Sequence, residues 1–249
     1  MPVQITNLDF GGVIKYICQL VGHPVPADPA GSADLAVQQM GAAVNNAGAE
    51  MLALHEWQDL TNRASIPIVA DMAGQKEKAF PLPADFYRFI DQTQWGTQSL
   101  LPAMGPVSPQ SWMLYTVRSY NPQLTLSWQI RNDKLNVLNP PFPTPVNFEF
   151  FYLSRAQIID QDDPTLFKNI ASKNGDKFFL DPYVILLLAR AKYLEWKGFD
   201  ATGAMRDFLT AFNSRTGADK GAGILSLNHH IGVPLINPMT SVPDTGYGS

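Results

Sequence analysis

The sequence holds a single cysteine, Cys18, which excludes an internal disulfide, and its neighbours Tyr16, Ile17 and Leu20 point to a buried thiol. That usage fits assembly in the cytosol, where thiols stay reduced. Charge is scarce as well. Asp, Glu, Lys and Arg make up 16% of the 249 residues, against about a quarter in typical soluble domains. A surface so weakly charged suits a chain that protein partners cover, although a weakly charged monomer fits the same composition. The formal net charge of −4 comes with no Lys/Arg cluster, which argues against tight electrostatic binding of DNA but leaves open a channel past which DNA slides. The start Met1-Pro2-Val3-Gln4 lacks the basic residues and apolar run of a signal peptide. No stretch approaches the about 20 apolar residues of a membrane span. The expectation is a soluble globular protein with no membrane partner, which stays in the compartment where it is made.

Signatures of chemistry are equally few. There is no Gly-x-Ser-x-Gly elbow and no Walker-type Gly-Lys-Ser/Thr, and Cys18 has no nearby base. The histidines are His23, His55, His229 and His230. None has a cysteine or carboxylate at a metal-ligand spacing, and adjacent residues of an extended chain, such as His229 and His230, point to opposite faces. Asp160-Gln161-Asp162-Asp163 lacks the glycine and distal glutamate of a calcium loop, and Asp163 before Pro164 reads as a helix N-cap. Pairs such as Glu50 and Glu56, or Asp85 and Asp91, have no spacing that selects them for acid/base work. The expectation is therefore no enzyme, no cofactor and no metal. Trp95, Trp112, Tyr115 and Tyr120 fit the core of a small inserted domain better than a sugar platform or base-stacking surface.

What the sequence does contain is periodicity. Val13, Ile14, Ile17 and Leu20 or Val21 space a short helix from Asn7 to Val21, stopped by Gly22 and Pro24. A Pro/Ala/Gly linker, His23 to Gly31, leads to Ser32, a candidate N-cap. From there a helical pattern with Met40, Val44, Ala47, Met51 and Leu54 runs to about Arg63, about 45 Å at 1.5 Å per residue. Between Ala36 and Ala49 it carries no charge, which suits its outer face to packing against another helix or subunit. Ile66, Ile68, Ala70 and Met72 then alternate as in a strand, and Pro67 places that strand at an edge. Further strands are expected at Leu124 to Arg131, Lys134 to Leu138 and Phe148 to Leu153, with Asn132-Asp133 as a hairpin turn.

Short helical turns are expected at Asp85 to Ile90 and at Ser108 to Tyr115, the second with Ser108 as cap and Pro109 at the first helical position. Helix returns around Thr165 to Ala171. It is strongest from Asp181 to Lys197, where Val184 to Leu188, Ala191, Leu194 and Trp196 are apolar nearly all round. After Gly198, Asp200 caps a last helix to about Ser214 with Met205, Phe208, Leu209 and Phe212 on one face, closing an antiparallel hairpin. Beyond Gly217, Leu225, Leu227, Ile231, Val233, Leu235 and Ile236 punctuate a Gly/Pro/Asn/Ser stretch, read as an extended tail lying on a partner surface. The predicted fold is α+β: an α-helical bundle with an inserted antiparallel β-domain and an extended C-terminal tail. Its parts are N-terminal bundle helices in 1–63, the β-rich insertion in 64–154, C-terminal bundle helices in 155–217 and the docking tail in 218–249.

The stretch Phe80-Pro81-Leu82-Pro83-Ala84-Asp85-Phe86-Tyr87-Arg88, then Trp95, then Gly105-Pro106-Val107-Ser108-Pro109-Gln110-Ser111-Trp112, resembles the β-domain of the head-to-tail adaptor proteins of short-tailed bacteriophages, the tail tubular protein A-like group. Phe148-Glu149-Phe150, Trp57-Gln58-Asp59-Leu60, Lys192-Tyr193-Leu194 and Lys197-Gly198-Phe199-Asp200 are similar too, so that the likeness spans roughly 32 to 216. Its motif residues, Leu82, Pro83, Asp85, Phe86, Arg88, Trp95, Gly105, Pro106 and Trp112, are turn and packing signatures. The resemblance implies a structural virion protein at the head–tail junction: a homo-oligomeric ring, a dodecamer by family expectation, seated between the phage portal protein and the tail nozzle protein. DNA would pass through its channel without sequence-specific binding during genome ejection, and no cofactor is needed. The readings left standing beside it are another tail component, nozzle or minor tail, and a virion protein that binds or hydrolyses cell-wall glycan.

Overall fold

In a computed structural model of the chain, the described residues are 8–68, 77–96, 101–118, 126–138 and 146–219. The fold is α+β, five helices with antiparallel sheets inserted among them. The predicted tail anchors, Leu225 to Ile236, together with His229, His230 and Tyr120, lie outside the described residues, as do Ala70 and Met72.

Helix α1, Phe10–Val21, starts where Asp9 accepts the Gly12 N–H at 2.7 Å and stops at Gly22, whose φ of 71° suits a residue without Cβ. Helix α2, Leu35–Leu54, is capped by Asp34, which accepts from Ala36 at 2.9 Å, and not by Ser32. It ends nine residues before Arg63, at about 30 Å. The cause is Trp57, which turns back under the helix, is buried, and donates its indole N–H to the Met51 carbonyl at 2.8 Å. That carbonyl, in the last turn, has no partner within the helix. After a 3-10 turn at Gln58–Leu60 the chain becomes strand.

The strand β1, Thr61–Ile68, pairs antiparallel along its whole length with β8, Val146–Ser154. The other edge of β8 takes β3, Phe86–Phe89, and then β4, Trp95–Gly96, which pairs with β5, Leu101–Pro102. Among the described residues β1 is an edge, as Pro67 required. A second sheet has the order β2 (Glu77–Pro81), β7 (Lys134–Leu138), β6 (Trp128–Arg131). Its β6–β7 turn is the expected Asn132-Asp133, both residues having positive φ (54° and 55°) as a two-residue hairpin of this twist demands. The helix α3, Pro109–Arg118, precedes β6 and starts as predicted, with the Ser108 hydroxyl accepting from Ser111 N at 3.2 Å.

Two expected helical turns are strands. Residues 86–89 extend because their aromatic side chains suit a pleated surface and β8 offers an open edge there. Residues 167–168 form β10, which with β11, Lys177–Phe178, flanks β9, Ile158–Ile159. Asp163 caps no helix; its carboxylate holds the N–H and hydroxyl of Thr165 in a turn. The chain closes with α4, Pro182–Trp196, capped by Asp181, and α5, Thr202–Asp219, five residues longer than Ser214. Leu209, expected on the packed face of α5, is about half exposed, while Phe208 is buried.

Two cores result. The first joins α1, α2, α4, α5 and the small sheet, through Ile17, Met40, Met51, Ile158, Ile185 and Phe208. The second lies between the two larger sheets, through Phe80, Phe86, Trp128, Phe148, Phe150 and Tyr152. Strand β8 serves both: Tyr152 belongs to the aromatic core and Leu153, the next residue, to the helical one.

Candidate functional site

The motif residues fall into a packing role with one exception. Phe86 is buried beside Phe89, 4.9 Å between ring centroids, and Leu82 packs against the same core. Pro83 contributes the carbonyl that accepts the Phe86 N–H at 3.0 Å. The Asp85 carboxylate accepts the Tyr152 hydroxyl at 2.9 Å. Burial, and then this carboxylate, push the Tyr152 phenol up to about 12. Arg88 reaches Glu56 at 3.7 Å, tying β3 to the segment after α2. Arg155, which the motif does not contain, holds the same turn by donating to the Phe86 carbonyl at 2.8 Å.

Gly105 lies against Trp128, where a Cβ would stand 2.6 Å from the Trp128 carbonyl oxygen, so glycine is required by close approach. The Gly105–Pro106 peptide is cis. Trp112 is buried and donates its indole N–H to Glu77 at 2.6 Å. Trp95 is the exception. It is 44% exposed and shares a shallow depression of about 300 Å³ with Phe151, 42% exposed, and with the Arg63–Glu149 ion pair. The structure thus separates the two tryptophans, one in the core and one at the surface. Phe151 was legible only once the pairing of β8 placed it on the outer face.

The acidic run 160–163 is neutralised from within. Lys168 bridges Asp160 (2.7 Å) and Asp176 (2.8 Å), and Lys173 bridges Asp160 (3.1 Å) and Asp162 (2.6 Å). Asp176 is buried; its carboxylate also accepts from the backbone N–H groups of Gln161, Ser172 and Lys173. Its burial disfavours the charge, yet Lys168 and those amides outweigh it and hold the acid below the ordinary range. Lys168 does the same for Asp160. Among the described residues no group of three His, Cys, Asp or Glu side chains is arranged to hold a metal ion. Cys18 is buried, its thiol donating to the Met40 sulfur at 3.4 Å, and burial raises its pKa.

No protein-family model matches the chain, and no curated protein matches it. The geometry therefore stands alone, and its main features among the described residues are exposed apolar surfaces and a groove. On α3, Met113, Leu114 and Val117 are exposed, and beside the small sheet Leu166, Phe167 and Ile170 are exposed. A groove of about 450 Å³ runs between α1, α4 and α5, past Tyr16, Leu20, Tyr183 and Ser214. It adjoins a smaller hollow of about 180 Å³ that reaches Leu194 and Phe199, the two sharing Leu20 and Arg190. Among the described residues no helix is long and apolar enough to cross a membrane.

Proposed function

We propose that this chain is one subunit of a head-to-tail adaptor ring of a short-tailed phage, joining the portal to the tail nozzle and leaving a channel for DNA. The observation that carries the reading is the pairing of low charge with large apolar side chains left exposed on both halves of the molecule, on α3 and beside the small sheet. Exposed apolar patches of this kind are what subunit contacts cover. The motif residues support it by packing, since a machine part needs rigid faces and no reaction centre. A weakly negative chain also suits a passage, because a basic lumen would hold phosphates and slow ejection.

The test is the mass of the purified protein by light scattering, alone and after mixing with the portal ring of the same virus. A larger defined complex in the mixture is the expected result; a chain that ignores the portal sinks the reading. Deleting residues 219–249 is expected to leave a folded protein that no longer joins portal rings. A second reading, glycan binding, is favoured only by the exposed Trp95–Phe151 depression. If it holds, Trp95→Ala abolishes retention on cell-wall polysaccharide and leaves the fold intact.

A further inference from the structure

The groove between α1, α4 and α5 is lined from α4 by Arg190 and from α5 by Asp207, with Leu20 and Tyr183 partly open along it. The Nε of Arg190 is buried without a hydrogen-bond partner, and neither Arg190 nor Asp207 forms an ion pair among the described residues. An enclosed donor without an acceptor is costly, while a carboxylate brought to a guanidinium can accept two parallel hydrogen bonds. The groove thus asks for an occupant with an acid for Arg190, a base for Asp207 and an apolar side chain for Leu20 and Tyr183.

The chain's own exposed surfaces differ in what they offer. The apolar face of α3, with Met113, Leu114 and Val117, lies in a stretch, 109–117, that holds no charged residue. Beside Leu166 and Phe167, Asp160 and Asp162 are already paired with Lys168 and Lys173. The β6–β7 turn is different. Asp133 and Lys134 are adjacent and exposed, neither forms an ion pair among the described residues, and Ile130 close by is partly exposed. Arg131, bound to Glu77 at 2.9 Å, steadies the base of the turn and leaves both charges free for an outside partner. With Asn132 and Asp133 as a two-residue turn, the tip is two strands wide, about 4.8 Å between backbones. Along α4 the groove from Tyr183 to Arg190 is about 10 Å long, enough to admit it.

We infer that the β6–β7 tip of one copy docks in the α1–α4–α5 groove of a second copy, with Asp133 on Arg190, Lys134 on Asp207 and Ile130 over Leu20 and Tyr183. The contact joins two different faces of the chain, so it is head to tail and repeats from copy to copy, closing a ring where the rotation allows. It deepens the adaptor reading by naming the contact between ring neighbours, and only the closure of the ring rests on that reading.

The test couples carboxylates to amines with a zero-length carbodiimide in the full chain. Equal parts of unlabelled and 15N-labelled protein are mixed when dilute, then treated both after concentration and after mixing with portal rings. A Lys134 to Asp207 cross-link of mixed label is expected, at severalfold the yield of Lys134 to Asp59, an exposed carboxylate beyond α2. Lys134→Glu and Asp207→Lys, both at the surface and so neutral to the fold, are each expected to weaken self-association about tenfold, and the two together to restore it. Cross-links of uniform label alone would place the tip in the groove of its own chain and overturn the proposal. So would a yield no higher than that to Asp59 in both samples, or a double variant as weak as the single ones. The adaptor reading fails separately, when the chain ignores the portal while the mixed-label cross-link still forms in the concentrated protein.

Discussion

The helical half and the β half hold themselves together differently. In the helical core the fully buried side chains are mostly aliphatic, Ile14, Ile17, Met40, Met51 and Ile185 among them, with Ala43, Ala47 and Ala189 letting helices approach. Between the sheets a few large rings do the packing. Phe89 alone lies 4.7 Å from Trp128, 4.8 Å from Phe150 and 4.9 Å from Phe86, mostly edge to face. A core of many small contributions loses little when one is reshaped. A core of few large ones concentrates its stability at single positions. The polar contacts divide likewise: the helical half is braced by the network around buried Asp176 and Lys168, the β half by smaller sets such as Tyr152 to Asp85 and Trp112 with Arg131 to Glu77.

The sharpest way to break the comparison is Phe150→Ala, expected to cost about 4 kcal/mol. Near-ultraviolet circular dichroism and protease resistance of the sheets should go while the helical far-ultraviolet signal stays. Loss of both at one temperature would mean the two cores unfold as one. Next is Asp176→Asn, which leaves Lys168 with a single carboxylate and is expected to cost about 3 kcal/mol, read by chemical denaturation of the helical half.

Acid makes the same cut from the other side. The Asp160 and Asp176 acids are held below their ordinary value, so the unfolded chain binds protons first. Their stabilisation is complete above about pH 4 and is lost as pH falls from there toward the folded-state values. Hydrogen exchange should show the β9–β10–β11 sheet loosening below about pH 4 ahead of the larger sheets, and Asp176→Asn should flatten that dependence. Tyr152→Phe is expected to lower stability by about 1 kcal/mol, seen as a small drop in melting temperature. Trp95→Ala, at the surface, should change stability by no more than about 0.5 kcal/mol.

Much of the secondary structure was legible because its signals are local. Asn132-Asp133 between alternating runs, Ser108-Pro109 at a helix start, Asp181-Pro182 before an apolar run and Gly198 after it each act within a few residues, and each stands where expected. The larger misreadings are tertiary. The end of α2 is set by Trp57 folding back on Met51, the extension of 86–89 by a free edge on β8, and that of 167–168 by the reach of Lys168 to two distant carboxylates. Of the candidate site, the packing of Phe86 and Trp112 was foreseeable from their type. Nothing in the residues alone distinguished buried Trp112 from exposed Trp95, and Arg190 gave no sign before its helices were assembled.

The arrangement of β1 and β8 has a mechanical consequence. The chain enters the β half at Thr61 and leaves it at Leu153, and these two residues are paired neighbours at the same end of the ladder. A pull that draws the sheets away from the helices therefore loads both strands from one end and in one direction. Tension runs along two covalent backbones side by side, and the hydrogen bonds between them carry no sliding load. The β half hangs from the bundle as if on a doubled cord, which yields by bending at its root before it shears.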